Sequence, residues 1–167
     1  MANERDLFNL LNNLGIEYTL YRHEPFFTVK ESRAAREDWV GGHCKCLFLK
    51  DKKANMVLAV VQEDLKVDLK ALAGTLKLGR FSFCDEARMV RVLGVTPGAV
   101  NPFSVMNVKE LNEVESFQVV VDASLKNYEV VHFHPLHNEA TVGISFDDLI
   151  RFIENYDYEP RVLDLSF

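Results

Sequence analysis

The sequence predicts an α+β protein in which helices flank a mixed, mostly antiparallel sheet. Predicted strands outnumber predicted helices, and most strands pair across short turns, which favours this class over a βαβ arrangement. The length of 167 residues and an ordinary composition, 48% hydrophobic and 26% charged, are typical of one globular domain. We therefore predict a single compact domain that spans residues 1–167.

The first helix has a recognisable start, apolar face and end. Asn3 can accept a hydrogen bond from the first turn, and Gly15 is suited to end the helix. The buried face is predicted by the spacing of four leucines: Leu7, Leu10, Leu11 and Leu14. Residues 17–23, which follow, are predicted to form a strand.

A second helix and a hairpin come next. Thr28 and Glu31 form a capping-box pattern at the start of a short helix over residues 28–36. The strand from about residue 44 to residue 50 turns at the sequence DKKAN into a strand over residues 56–62. This order predicts an antiparallel hairpin.

Two further helices are predicted from their caps. Asp68 can cap a helix that Gly74 ends, and Asp85 can cap another that ends at Gly94. A short strand over residues 80–83 lies between them.

The last part of the chain is predicted to be rich in strands. After the loop VTPGAVNPF, strands are predicted over residues 117–125, 129–136 and 140–146. Asp147 is predicted to start the final helix.

Bulk properties exclude several classes. The N-terminus MANERDLF has no apolar signal region, and the longest apolar runs, such as residues 56–61, are too short to span a membrane. Three cysteines do not suggest a disulfide framework. The net charge of −6 disfavours a general nucleic-acid binder but not a protein that grips one short nucleic-acid end. We predict a reduced, cytoplasmic protein.

A metal site is one interpretation of the cysteines and histidines, but it is not the predicted one. Candidate ligands are His43, Cys44, Cys46 and Cys84, with His132 and His134 as a further pair on one strand face. However, zinc sites usually use two cysteines separated by two to four residues, and this spacing is absent. Ordinary core and edge residues explain the pattern better.

A cysteine nucleophile is a second alternative. Cys44 or Cys46 could have a lowered pKa beside Lys45. No pairing of a cysteine with a histidine is visible in the sequence, and small buried cysteines are common.

Lys45 is the third candidate. It lies where a loop enters an apolar strand, and the two glycines at positions 41 and 42 would let the backbone approach a ligand closely. In the loop 96–102, Gly98 and Ala99 could present N–H groups to an oxygen or phosphate. A solvated lysine at a strand edge and a plain turn are the alternative interpretations.

Two other groups of polar residues share this ambiguity. The segment FHPLHNEAT places His134, Asn138 and Thr141 around a proline turn, which the Asn and Thr side chains could simply stabilise. Basic residues recur along the second helix and at the hairpin tip, where they could meet phosphates or only solvent: Lys30, Arg33 and Arg36, then Lys50, Lys52 and Lys53.

Three motifs in this order resemble one family. GGHCKCLFLKDKK, LGVTPGAVNPF and VHFHPLHNEATVGIS are similar to motifs of the YbaK/ProX aminoacyl-tRNA editing domains, relatives of the editing insertion of bacterial prolyl-tRNA synthetase. The resemblance covers nearly the whole chain and is strongest to free-standing deacylases that remove alanine from mischarged proline tRNA. It implies a barrel-like mixed sheet and hydrolysis of the ester at the tRNA 3′ end. A second, smaller pocket would accept alanine and exclude proline.

The resemblance also implies a set of site residues. Lys45 matches the functional lysine, which would hold the terminal ribose–phosphate or ester region and neutralise charge as the oxyanion develops. Substrate-binding positions are then expected at Cys46, Thr96, Gly98, Ala99, Pro102, His134, Asn138 and Thr141. Water would attack the ester, positioned by the substrate's ribose hydroxyl together with these groups, with no metal and no cofactor.

One residue departs from the family pattern. The family commonly has asparagine after the lysine, and Cys46 stands there instead. A side-chain amide contact to the substrate would be lost, which changes rate or specificity or leaves a repurposed protein.

The predicted function is therefore a trans-editing aminoacyl-tRNA deacylase that acts on Ala-tRNA(Pro). Alternatives are a deacylase for Cys-tRNA(Pro) or another small mischarged residue, and a non-catalytic module that binds an amino acid or an aminoacyl-tRNA. The expected partners are the tRNA acceptor end and prolyl-tRNA synthetase, with no membrane. The protein is expected to be a monomer or a weak dimer.

Overall fold

The sheet and helices are described for residues 1–26, 29–109 and 113–167 of a computed structural model. The strands in these ranges are β1 (Thr19–Arg22), β2 (Gly42–Lys50), β3 (Asn55–Gln62), β4 (Ser82–Phe83), β5 (Ser116–Asp122), β6 (Val131–Phe133), β7 (Ala140–Ile144) and β8 (Arg161–Leu163). The helices are α1 (Glu4–Asn13), α2 (Val29–Ala35), α3 (Leu69–Leu76), α4 (Glu86–Leu93) and α5 (Phe146–Glu154), with 3₁₀ helices at Pro102–Asn107 and Ala123–Asn127.

The strands form one mixed sheet in the order β1-β7-β6-β2-β3-β5-β8, and β4 pairs with the end of β2. Pairings β1–β7, β6–β7, β2–β3 and β2–β4 are antiparallel, whereas β2–β6, β3–β5 and β5–β8 are parallel. The predicted α+β class and the predicted β2–β3 hairpin are confirmed. β2 is the central strand, because it joins the β1–β7–β6 group to the β3–β5–β8 group.

Three predicted helix starts are confirmed by their caps. The side chains of Asn3, Asp68 and Asp85 each accept a hydrogen bond from a backbone N–H in the first turn of α1, α3 and α4. Gly94 ends α4 in the left-handed conformation, as predicted. The predicted cap Thr28 lies outside the described residues.

Two predicted helix boundaries are wrong: the end of α3 and the start of α5. α3 continues through Gly74 to Leu76, because Leu76 is buried, and Lys77 takes the left-handed position that ends the helix. α5 begins at Phe146 instead of Asp147. Ser145 caps it by accepting from the N–H of Asp148, so that the aromatic ring of Phe146 is buried at the start of the helix.

The strand boundaries are less well predicted than the strands themselves. β5 ends at Asp122, where the buried carboxylate accepts a hydrogen bond from the N–H of Leu165, and a 3₁₀ helix replaces the rest of the predicted strand. β6 covers only Val131–Phe133 of the predicted 129–136. The strand β8 and the 3₁₀ helix Pro102–Asn107 were not predicted.

The core lies on both faces of the sheet. One face packs against α1 and α5 through residues such as Leu7, Phe103 and Phe152, and the opposite face packs against α3 through Leu72. Each such side chain stabilises the fold by about 1.5–3 kcal/mol. No helix among the described residues combines the length and the apolar character needed to cross a bilayer.

Candidate functional site

The candidate site lies where the central sheet splits. The parallel ladder between β2 and β6 contains only the pairs Gly42–Val131 and His43–His132. Beyond this point β2 pairs with β3, and β6 pairs with β7. A pocket of about 60 Å³ lies in the fork, and its lining residues are Phe26, Ser32, Arg36, Trp39, His43, Cys44, Cys46, Val100, His132, Phe133, His134 and Thr141.

Gly41 and Gly42, at the start of β2, allow close contact between segments of the chain rather than with a ligand. A Cβ atom at Gly41, whose φ is +123°, would lie 2.3 Å from the carbonyl oxygen of Val130, and one at Gly42 would lie 2.7 Å from the ring of Tyr128. The N–H of Gly42 donates to the same Val130 carbonyl at 2.8 Å. The expectation that these glycines admit a ligand is therefore wrong, because the protein's own chain fills that space.

A pair of stacked histidines forms one side of the pocket. The rings of His43 and His132 are 5.0 Å apart and nearly parallel, with 16° between their planes. The Nε2 atom of His132 lies 2.8 Å from the carbonyl oxygen of Val40, so Nε2 carries the proton and donates. The Nδ1 atom of His132 is buried without a partner among the described residues. It is therefore an acceptor without a donor.

Burial lowers the pKa of both stacked histidines, which favours their neutral forms. Burial, with the positive charge of Arg36 and the neighbouring His132, lowers the pKa of His43 to about 4. Burial and Arg36 also lower the pKa of His132, although its hydrogen bond to Val40 acts in the opposite direction. Burial is also the main reason why the pKa of a third histidine, His134, is lowered.

His134 and Thr141 present acceptor atoms to the same pocket. The Nδ1 atom of His134 donates to the carbonyl oxygen of Ala140 at 2.8 Å, which leaves its Nε2 atom unprotonated. The hydroxyl of Thr141 lies 2.9 Å from Nε2 of His23, and Nδ1 of His23 lies 2.8 Å from the carbonyl oxygen of Glu24. Because that carbonyl can only accept, Nδ1 of His23 carries the proton and Thr141 donates to Nε2.

The outer wall of the pocket comes from α2 and the residues after it. Arg36 is bound to Glu63 at 2.6 Å, and only 12% of its side chain is exposed. The ring of Trp39 stacks on Tyr21 at 4.1 Å. No acidic residue of the described chain lines the pocket, and Arg36 is the one residue of the lining that carries a permanent positive charge.

The two cysteines of the pocket are inert thiols. Burial raises the pKa of Cys44 to about 12, and burial and the neighbouring Cys44 raise the pKa of Cys46 well above its ordinary value. A reactive cysteine needs the opposite shift. The alternative of a cysteine nucleophile is therefore not supported.

Lys45 lies beside the pocket without lining it. It pairs with Val61 in the β2–β3 ladder and is half-buried. Alternation along β2 places it on the same face as His43, about 7 Å further along the strand. Its amine has no hydrogen-bond or ion-pair partner in the part of the chain that the structure describes.

The loop 96–102 forms a tight turn next to the pocket. The N–H of Ala99 donates to the carbonyl of Thr96 at 3.1 Å, and Gly98 has a φ of +89°, which is typical of a type II turn. The amide of Ala99 is therefore occupied, whereas Gly98 is exposed. Pro102 is buried in the 3₁₀ helix, and Val100 is the residue of this loop that reaches the pocket.

The structure brings together only part of the predicted site. Cys46, His134 and Thr141 line the pocket. The predicted residues outside its lining are Lys45, Thr96, Gly98, Ala99, Pro102 and Asn138.

Sequence reasoning missed most of the outer wall. Phe26, Ser32, Arg36 and Trp39 line it, and the sequence offered Arg36 either as a phosphate contact or as a solvated residue without assigning it to the pocket. The single tryptophan of the chain, just before the glycine pair, was the available signal. Among the described residues, no three His, Cys, Asp or Glu side chains are arranged to hold a metal ion.

Sequence comparison identifies related proteins. Residues 23–152 match the aminoacyl-tRNA editing domain. The chain is 37% identical over 145 residues to the prolyl-tRNA editing protein ProX of Acetoanaerobium sticklandii, and the match covers 86% of each chain. It is 33% identical over 164 residues to prolyl-tRNA synthetase associated domain-containing protein 1 of Xenopus laevis, with 95% of each chain covered.

Structural comparison agrees on the fold. A crystal structure described as a candidate trans-editing enzyme for prolyl tRNA synthetase has a TM-score of 0.73 and 19% identity, and covers 98% of this chain and 96% of its own. The hypothetical protein APE2540 also has a TM-score of 0.73, with 16% identity and 93% of this chain covered.

Proposed function

Because the chain belongs to the aminoacyl-tRNA editing domain family, we propose that it is a trans-acting aminoacyl-tRNA deacylase that hydrolyses the ester of Ala-tRNA(Pro). The relatives named for prolyl-tRNA editing and for association with prolyl-tRNA synthetase support this choice of tRNA.

The size and lining of the pocket are the observation that supports alanine as the amino acid to be removed from the tRNA. The pocket is narrow, because the centre of a water-sized group can move through only about 60 Å³ of it. A methyl side chain needs far less space than the ring of proline. The inner walls, Cys44, Cys46, Val100 and Phe133, are apolar, which suits a methyl group. Hydrolysis in this pocket would therefore spare the correctly charged product by steric exclusion.

The catalytic role of Lys45 is part of the proposal. Its amine has no partner among the described residues, and it lies one same-face position from His43. A lysine side chain is long enough to span that separation. At the ester, its charge would stabilise the oxyanion that develops when water attacks the carbonyl carbon.

The remaining groups would orient the substrate. The acceptor atoms of His134 and Thr141 suit the substrate's amine or ribose hydroxyl. The loop beside Val100 would close the site through the exposed Gly98, with its N–H, and through Thr96, Ala99 and Pro102. Asn138 would contribute from the β6–β7 turn. Water, positioned with the ribose hydroxyl, completes the reaction without a metal or a cofactor.

The proposed partners follow from the substrate. The tRNA acceptor end is bound, prolyl-tRNA synthetase supplies the mischarged tRNA, and a monomer or weak dimer is sufficient for the chemistry. We expect the protein in the cytoplasm, where tRNA is charged.

A second candidate is a non-catalytic sensor of an amino acid or an aminoacyl-tRNA. Cys46, which is half-buried in the pocket lining where the family commonly has asparagine, favours it. A sensor binds aminoacyl-tRNA without turnover, which separates the two candidates.

The test is deacylation of Ala-tRNA(Pro) by the wild type and Lys45→Ala, with Pro-tRNA(Pro) and Cys-tRNA(Pro) as comparisons. We expect rapid loss of alanine, little loss of proline, and a decrease of roughly 100-fold or more in kcat for the variant. Hydrolysis of Cys-tRNA(Pro) in preference to Ala-tRNA(Pro) would reassign the substrate. Binding of all three without hydrolysis would establish the sensor.

A further inference from the structure

The pocket has two different walls. The inner wall is made by the separating strands and is apolar or neutral, whereas the outer wall is made by α2 and the residues around it. That outer wall carries two aromatic rings, one hydroxyl and one guanidinium: Phe26, Trp39, Ser32 and Arg36. Aromatic rings beside a hydroxyl and a guanidinium are the groups that bind a nucleoside with its phosphate.

Arg36 is held ready to bind an anion. Its Nη2 atom donates to the carboxylate of Glu63 at 2.6 Å, and this hydrogen bond is the one that the guanidinium makes within the described residues. An arginine has five N–H donors, so several remain for a ligand. The Glu63 carboxylate restricts the guanidinium, which reduces the entropy lost when a ligand binds.

Ser32 lies on the same side of α2 as Arg36. The N–H of Arg36 donates to the carbonyl of Ser32, so the two residues are one helical turn apart and share a face. Both line the pocket. A hydroxyl and a guanidinium on one face provide donors to two oxygens of a single phosphate.

We propose that Arg36 and Ser32 bind the phosphate of the terminal nucleotide of the acceptor strand, while the aminoacyl group enters the inner wall. The proposal rests on the proposed deacylase function. It gives Arg36 a binding role distinct from that of Lys45, which acts at the ester. No carboxylate belongs to the described lining, and the carboxylate of Glu63, which lies outside it, is paired with Arg36.

Arg33 offers a matched control. It lies in α2, which ends one residue before Arg36, and it is also paired to an acidic residue, Asp64, at 2.5 Å. However, 54% of its side chain is exposed, and it does not line the pocket. A general effect of positive charge on α2 would appear equally in variants of both arginines.

The experiment compares two small substrates. One is the 3′-alanyl ester of adenosine, and the other is the same ester of adenosine 5′-monophosphate. We expect Arg36→Gln to lower kcat/KM for the phosphorylated ester by roughly 10- to 100-fold and to change the unphosphorylated ester by less than about twofold. Arg33→Gln should leave both values near those of the wild type, and Arg36→Lys should recover part of the loss.

Three results would overturn the proposal. Equal losses on both esters would mean that Arg36 acts at the ester or only in folding. No loss on either ester would mean that it does not bind substrate. If Arg36→Gln fails to fold, equal inhibition of the wild type by adenosine and adenosine 5′-monophosphate, with an unchanged ester preference in Arg36→Lys, would also contradict it.

The proposed deacylase function can be contradicted independently of the phosphate site. A wild type that hydrolyses neither the small esters nor Ala-tRNA(Pro) is not a deacylase. The phosphate site is then tested by the affinity of the wild type and Arg36→Gln for adenosine 5′-monophosphate. A loss of roughly 10-fold or more in the variant supports the site, and equal affinities refute it.

Discussion

The two ends of β2 both bury polar groups, but only one end leaves them unsatisfied. At the hairpin end, Asp51 is 4% exposed and accepts hydrogen bonds from the N–H groups of Lys53, Asn55 and Gly79 and from the side chain of Asn55. Burial alone would raise the pKa of Asp51, yet these hydrogen bonds outweigh it and hold the pKa below its ordinary value. Asp51 is therefore a structural group with no capacity left for a ligand.

The other end of β2 has the opposite character. His132 buries an Nδ1 atom without a partner among the described residues, His134 lines the pocket and has an unprotonated Nε2 atom, and the half-buried Lys45 has no partner within the described chain. Buried polar groups in native proteins are rarely left unpaired. The comparison teaches that satisfied groups at one end stabilise the hairpin, whereas the groups without partners at the other end are the ones that the proposed function assigns to the substrate.

The largest expected effect is on stability at the hairpin end. Asp51→Ala removes an acceptor that serves four donors, so we expect the free energy of unfolding to fall by about 2–4 kcal/mol, measured by urea denaturation. The kcat of the remaining folded protein should stay within about twofold of the wild type. As a control, Asp64→Ala breaks an exposed ion pair and should cost less than about 1 kcal/mol. A large fall in kcat with unchanged stability would contradict the division between the two ends.

The next effect is on activity at the pocket end. Thr141→Val keeps the shape of the side chain but removes the hydroxyl that donates to His23. We expect kcat/KM for Ala-tRNA(Pro) to fall by roughly tenfold, with a change in unfolding free energy of about 1 kcal/mol or less. Thr141→Ser keeps the hydroxyl and should restore most of the activity. If serine is no better than valine, the hydroxyl has no role and the side chain only packs.

A smaller effect is expected on the pH dependence of the free energy of unfolding. The pKa of His43 falls from its ordinary 6.5 when unfolded to about 4 when folded, so the unfolded state binds more protons between these values. Stability contributed by neutral His43 is therefore full above pH 6.5 and is lost as the pH falls towards 4. His43→Gln should reduce the slope of unfolding free energy against pH in this window by about one proton. An unchanged slope would mean that His43 titrates normally in the folded protein.

The smallest effect is expected at the cysteines. Because burial raises the pKa of both Cys44 and Cys46, their thiols should react with iodoacetamide at pH 8 much more slowly in the folded than in the unfolded protein. The double variant Cys44→Ser, Cys46→Ser should retain kcat within about threefold of the wild type, since the thiols take no part in the chemistry. Rapid alkylation that abolishes activity would restore a catalytic role for a cysteine. Cys46→Asn would then show whether the amide common in the family changes the rate.

Sequence patterns predicted helices and strands well where residues close together in the chain determine the structure. Asn3, Asp68 and Asp85 cap their helices because a short polar side chain reaches its own first turn whatever the rest of the chain does. The β2–β3 hairpin follows from two apolar runs and a polar turn between them. Predictions failed where burial decided the result, as at Leu76, which extends α3, and at Phe146, which starts α5 before Asp147.

The site was predicted only in part for the same reason. Cys46, His134 and Thr141 are adjacent to motifs that the sequence displays, and they line the pocket. Arg36 lies near His132 of β6 only because the segment from α2 onward packs over the fork, across a separation of about a hundred residues that no local pattern reports. The turn that occupies the N–H of Ala99 was one of the two interpretations of this loop, because Pro97 and Gly98 favour it locally.

The sequence by itself determined the α+β class, the helix caps, the central hairpin and the motifs of the editing family, because each depends on neighbours in the chain. Only the tertiary structure decided that β2 and β6 separate after His43 and His132, and that the pocket opens between them. It also decided which buried polar atoms are satisfied and which are free. Asp51 is satisfied by its own hairpin turn and by Gly79, whereas the Nδ1 atom of His132, on a strand distant in sequence, stays without a partner among the described residues. This difference separates the structural end of β2 from the end that carries the proposed site.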